Sequence, residues 1–109
     1  MATLREYLAP NGKSPFGDWF DGLGTEAAAK VTMALARIEA GNLGDCKPVG
    51  QGVMERRIDH GPGYRVYFGR QGAELVILLA GGTKKRQQAD ITTAQERWAD
   101  YKRRKRMGA

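Results

Sequence analysis

Three stretches between residues 53 and 80 constrain this chain more than anything else in it. Residues 53–59, 64–70 and 73–80 are rich in β-branched, aromatic and aliphatic side chains, and turn residues separate them. The third holds Leu75, Val76, Ile77, Leu78, Leu79 and Ala80 in succession. A run apolar at consecutive positions buries both faces, so it reads as a central strand. Gln71-Gly72 reads as a two-residue hairpin turn. That register sets Phe68 opposite Leu75, Val66 opposite Ile77 and Tyr64 opposite Leu79, and leaves Arg65, Tyr67, Val76 and Leu78 on the other face. Apolar matching across His60-Gly61-Pro62-Gly63 puts Met54 and Ile58 with Tyr64, Val66 and Phe68, and sends Glu55 and Arg57 to the face of Arg65 and Tyr67. Arg56 is the misfit on the inner face, expected at the sheet margin with its stem packed and its head in water.

Helices flank this β block. Ser14 is a good N-cap and Pro15 suits the first helical position. Phe16, Trp19, Phe20 and Leu23 then make one apolar stripe, and Gly22 and Gly24 end it. Thr25 can cap a second helix with Val31, Ala34, Leu35 and Ile38 on one face and Gly41 as a left-handed stop. Residues 42–52 read as loop, and 3–8 as a short strand. A last helix, about 88–104, carries Ile91, Ala94, Trp98 and Tyr101 as a docking stripe. The order β-α-α-β-β-β-α describes an α+β fold, two N-terminal helices and a C-terminal helix on one side of a small antiparallel sheet.

At 109 residues the chain is expected to form a single domain, 1–109, too short for a barrel enzyme. One cysteine, Cys46, leaves no internal disulfide, and one histidine, His60, leaves no two-histidine zinc centre; no metal and no cofactor are expected. No apolar run approaches a membrane span, and the first residues lack the apolar core of an export signal. The expectation is a soluble cytoplasmic protein without a membrane partner.

The net charge of +6 is unevenly placed. Residues 1–82 hold nine basic and nine acidic groups. Residues 83–109 hold nine basic groups against Asp90, Glu96 and Asp100. Two clusters carry the excess: Lys84-Lys85-Arg86, directly after the central strand, and Lys102-Arg103-Arg104-Lys105-Arg106 in a tail of about 102–109, flexible by composition. Clusters of this kind attract phosphate backbones, or merely solubilise.

The run GVMERRIDHGPGYRVYFG followed by LVILLAGGTKKRQQADI resembles the RelE/ParE toxin superfamily, and within it the addiction-module killer branch, also called phage Gp49-like or HigB-like. SPFGDWFDGLG and ARIEAGNLGDCKPVGQGV resemble the same branch, so the likeness covers about residues 5–105. The resemblance implies a RelE-like fold and a toxin of a type II toxin–antitoxin pair, with a helix-turn-helix antitoxin as cognate partner. RelE-like members cut messenger RNA on the ribosome, whereas ParE-like members poison DNA gyrase without catalysis. A basic RNA-binding module that does not cut is a third reading, and fold alone does not choose.

Metal-free RNA cleavage needs a base, a leaving-group acid and cations for charge growing on phosphate oxygens. Cations are plentiful here and bases scarce. By the resemblance, Arg65 of the Gly-Tyr-Arg run is the arginine at the scissile phosphate, and Lys84 or Lys85 is the basic residue after the last strand; these three are the candidate catalytic residues. Arg57, Tyr67 and Arg86 are candidate RNA-binding residues, the arginines through forked hydrogen bonds and the tyrosine by stacking on a base. His60 reads as a base or as a turn residue. Glu55 and Asp59 read as a carboxylate pair or as ion-pair partners of Arg56 and Arg57. Cys46 is expected to be inert.

Overall fold

A computed structural model describes residues 1–108. The elements are β1 (Thr3–Glu6), α1 (Pro15–Asp21), α2 (Thr25–Glu39), β2 (Cys46–Pro48), β3 (Val53–Ile58), β4 (Tyr64–Gln71), β5 (Leu75–Thr83), a 3-10 turn (Lys84–Arg86) and α3 (Gln87–Gly108). The five strands lie in the order β1-β5-β4-β3-β2. β1 runs parallel to β5 and the other neighbours are antiparallel, so the sheet is mixed rather than antiparallel throughout.

The helix termini follow their local chemistry. The Ser14 hydroxyl accepts from the Gly17 amide at 2.9 Å, and Pro15 occupies the first turn of α1. The N-cap of α2 lies one residue earlier than expected: Gly24 is the cap and Thr25 is already helical. Gly41 takes φ +92°, the left-handed stop that only glycine adopts cheaply.

The β3–β4 register is the one that apolar matching requires, with Met54 opposite Phe68, Arg56 opposite Val66 and Ile58 opposite Tyr64. The β4–β5 register is not the expected one. Gln71 pairs with Leu75, so the connection has three residues, 72–74, and Phe68 faces Leu78 instead of Leu75. A three-residue slip is odd, so it exchanges the faces of β5. A bulge at Tyr67/Phe68 shifts the pairing once more, and Val66 faces Gly81 instead of Ile77. Val76 and Leu78 therefore join Val66, Phe68, Phe16, Val31, Ala34 and Ile38 in a core under α1 and α2. Ile77 and Leu79 join Val53, Tyr67, Ala94 and Trp98 in a second core under α3.

The helices thus cover both faces, not one. LVILLA is apolar at every position because each of its faces carries a separate core. Two glycines admit the tryptophans that anchor these layers. A Cβ on Gly81 would lie 2.1 Å from the Trp19 ring, and one on Gly69 would lie 2.5 Å from the Trp98 ring.

Two further departures concern the edges. β2 lies within the segment expected to be loop and pairs outside β3 as an edge strand, with Pro48 opposite Met54. Arg56 is consequently interior to the sheet: it is only 7% exposed, with its guanidinium beneath Gly44 rather than in water. The basic C-terminus is the last turns of α3, not a loose tail. Asp100 bonds Arg103 and lies 2.7 Å from Arg104, Arg104 donates to the Leu8 carbonyl at 2.6 Å, and Lys105 donates to Gln71 at 2.6 Å. The Tyr7 hydroxyl also donates to Asp100, at 2.7 Å, tying α3 to the end of β1. Among the described residues no helix is long and apolar enough to cross a membrane.

Cys46 opens β2 half-buried, its thiol donating to the Leu43 carbonyl at 3.0 Å. Burial pushes the thiol up to about 11. Alkylation by iodoacetamide near pH 8 should be slow in the folded protein, with on the order of 100-fold less thiolate than a free cysteine, and fast in urea. Equal rates in both states would contradict this burial.

Candidate functional site

Alternation along the strands brings charge together at one end of the sheet. Arg57 on β3 pairs with Arg65 on β4, which pairs with Gly82 on β5. β5 ends one residue later, and the Lys84 amide donates to the Gly63 carbonyl at 2.8 Å, drawing the basic turn back against the β3–β4 connection. The result is a polar cleft of about 320 Å³ lined by Asp45, Arg57, Asp59, Gly63, Arg65 and Lys84.

Arg65 is 8% exposed, and its Nη1 donates a long hydrogen bond to the Tyr64 carbonyl at 3.4 Å. Its Nε lies 4.0 Å from Oε1 of Glu55, which is fully buried on the same face of β3. Glu55 Oε2 accepts from Gln87 Nε2 at 2.7 Å, and Lys47 Nζ lies 4.0 Å from Oε1. A buried carboxylate requires such company, since an unpaired one costs several kcal/mol. Glu55 thus holds Arg65 by charge, and Gln87 at the start of α3 holds Glu55. Arg57 is bound to Asp45 at 3.2 Å, near the mouth of the cleft.

Of the candidates read from the sequence, Arg65, Lys84 and Arg57 meet in this cleft. Lys85 and Arg86 are exposed on the same 3-10 turn but do not line it. Tyr67 is fully buried in the α3-side core, so its ring offers no face for a base to stack on. A period-two alternation cannot separate a strand face open to solvent from one covered by a helix, and α3 covers this one. His60 lies 6.4 Å from the Tyr64 ring, in the turn beyond β3. Tyr101 packs on Trp98, ring centroids 5.5 Å apart. Glu55 does not pair with Asp59, Arg56 or Arg57; Arg65, Lys47 and Gln87 are its partners. Gln87 was not legible as a site residue. Its only signal was its place directly after the basic cluster.

The aspartate of α3 behind the site, Asp90, sits against Gly82, where a Cβ would lie 1.9 Å from Oδ2. Burial raises its pKa, with Arg86 and Arg97 acting in the opposite sense. Burial also raises the Tyr67 pKa, and the Glu55 carboxylate adds to the effect. A phenol whose folded-state pKa is raised contributes stability that is present below its unfolded value near 10 and lost as pH rises through the folded value. Tyr67→Phe should therefore flatten the alkaline limb of a stability-versus-pH curve above about pH 10. Because the Tyr67 hydroxyl is buried and has no hydrogen-bond partner among the described residues, the variant should be at least as stable as the parent at neutral pH. An unchanged alkaline limb would show that Tyr67 ionises without unfolding.

The structure is thus an α+β layer protein with a cationic cleft at the end of a mixed sheet, and sequence comparison places it in a family. The pattern of the family described as Phage derived protein Gp49-like (DUF891) matches residues 18–99. An uncharacterized protein of Haemophilus influenzae is 46% identical over 81 residues, covering 73% of this chain and 82% of that protein. The chain belongs to the Gp49-like family, which lies within the RelE/ParE-like toxin superfamily. Membership ties it, at family level, to the toxins of toxin–antitoxin pairs and to an antitoxin as partner.

Proposed function

We propose that the chain is the toxin of a type II toxin–antitoxin module, that it cuts messenger RNA on the ribosome, and that a cognate helix-turn-helix antitoxin neutralises it. The observation that supports this reading is the cleft where Arg65, held by Glu55, meets Lys84. In the reaction the ribose 2′-oxygen forms a bond to the adjacent phosphorus and the bond to the 5′-oxygen breaks. The 2′-hydroxyl proton passes to water in the open cleft as the nucleophile attacks, and the departing 5′-oxygen takes a proton back from water. Charge grows on the non-bridging oxygens, where the Arg65 fork and the Lys84 ammonium receive it. A guanidinium already oriented by a buried carboxylate needs little reorganisation to do so, which is where electrostatic catalysis gains most. Arg57, shared between Asp45 and the cleft mouth, binds the incoming backbone, and Lys85 and Arg86 attract it from outside.

Controlled expression without an antitoxin tests the reading. The expected result is rapid loss of translation with cut messages, and recovery when the adjacent gene is co-expressed. DNA damage with supercoiling defects and intact messages would overturn it in favour of gyrase inhibition. Normal growth would overturn both.

A further inference from the structure

A second set of cations lies on the opposite face of β3. Arg56 points toward α2, where it lines a groove of about 280 Å³ with Lys30 and Arg37. These two are seven residues apart on α2, hence on one face of the helix, and both are exposed. The Arg56 guanidinium is fixed from two sides. Nη1 donates to the Arg57 carbonyl at 2.6 Å, and the group packs so closely beneath Gly44 that a Cβ there would lie 2.9 Å from Cζ. Its Nε is buried and has no hydrogen-bond partner among the described residues. Nε is covered, so what Arg56 brings to the groove is charge, and a guanidinium withdrawn from water is costly unless opposite charge lies near it.

The charge around the groove favours such an anion. Asp45 is already bound to Arg57, which leaves Lys30, Arg37 and Arg56 facing Asp59 alone. The groove also shares Asp45, Arg57 and Asp59 with the Arg65–Lys84 cleft, so the two adjoin around the end of β3. A polyanion with one phosphate in the cleft would bring the next ones here.

We propose that Arg56, Lys30 and Arg37 form a second phosphodiester subsite for RNA, continuous with the cleft and serving binding rather than bond cleavage. The proposal rests on the RNA reading above. RNA is favoured over an acidic protein because the groove adjoins the cationic cleft, sharing Asp45, Arg57 and Asp59 with it, so that one polyanion can meet both sets of cations. The phosphates could belong to the message or to ribosomal RNA, and two binding measurements separate these sources.

The test uses the double variant Lys30→Gln/Arg37→Gln, whose positions are exposed and keep α2 intact, and separately Arg56→Met, checked by thermal melting. Binding is measured against salt concentration on a short 2′-O-methylated, uncleavable RNA strand and on ribosomes without message. Losing two phosphate contacts should make the salt slope shallower by roughly 1.4 units, at about 0.7 per contact on a single strand. Affinity at low salt should fall at least about tenfold. A loss on the free strand assigns the subsite to the message; a loss on ribosomes alone assigns it to ribosomal RNA. Unchanged slopes on both, or a parent protein that binds neither, overturn the subsite. So does a loss confined to a glutamate-rich peptide, which would assign the groove to an acidic protein. Cut messages in cells together with unchanged slopes would sink the subsite alone. Weakened RNA binding with messages left whole would sink the cleavage reading alone.

Discussion

On ribosomes saturated with toxin, Arg65→Ala should slow single-turnover message cleavage by a factor on the order of 10² or more, the scale for losing one preorganised donor to a charged transition state. Ribosome binding should largely persist, because the other cations remain. Two controls follow from the surroundings of Arg65. The variant leaves Glu55 buried with fewer cationic partners, so it should melt at a lower temperature than the parent. Cleavage must therefore be read well below the melting midpoint. Arg65→Lys keeps the charge without the fork and should recover stability better than rate. Cleavage by Arg65→Ala at the parent rate would remove Arg65 from the chemistry and leave Lys84 and Arg57 as the cations lining the cleft. A matching prediction holds for the far end of α3. Because Arg103, Arg104 and Lys105 are engaged by Asp100, Leu8 and Gln71, neutralising them should disturb the docking of the helix as well as its charge.

Gly81→Ala should destabilise the fold by about 1–3 kcal/mol, the usual cost of forcing a methyl into a packed interior. The added Cβ would lie 2.1 Å from the Trp19 ring, far inside contact distance, and Trp19 is itself wedged between Phe16 and Tyr64. Retreat of the ring would open space against both neighbours. Trp19→Leu alone should also destabilise, by loss of buried ring surface. The double variant should be less unstable than the sum, because the smaller side chain makes room for the methyl. Chemical unfolding of all four proteins measures this coupling. Strict additivity would show that Gly81 and Trp19 do not meet.

The β block was legible because its apolar pattern is dense and its turns are short. The pairing of Met54, Arg56 and Ile58 with Phe68, Val66 and Tyr64 follows from matching apolar positions alone. The β4–β5 register was not, for a reason visible in the residues. β5 is apolar at every position from Leu75 to Ala80, so sliding that run by one or three residues exposes nothing polar and the pattern imposes no penalty. What sets the register is the three-residue connection 72–74, with Gly72 at φ +62°, and the bulge at Tyr67/Phe68. The same ambiguity hid the second core. A strand buried on both faces requires a covering layer on each, and α3 was read as joining the other helices.

The cationic end of the sheet was likewise half legible. Arg57 and Arg65 share a face by alternation, and the basic cluster must follow β5 in the chain. Glu55 could be placed on that face, but its fully buried state and its link to Gln87 depend on α3 folding back over the sheet. Tyr67 shows the converse: alternation placed it beside Arg65, and α3 sealed it from solvent.

Local chemistry along the chain determined the elements, most helix stops and the grouping of residues within each strand, because propensity, capping and period-two alternation act between near neighbours. Only the tertiary structure decided which layer covered which face. That choice made Arg65 a cation held by a buried carboxylate, Arg56 an interior guanidinium with a donor to spare, and the basic C-terminus a docked helix. Each of these depends on contacts between different elements, from ten to nearly a hundred positions apart, where the free energy lies in shared burial and paired charge that no local pattern records.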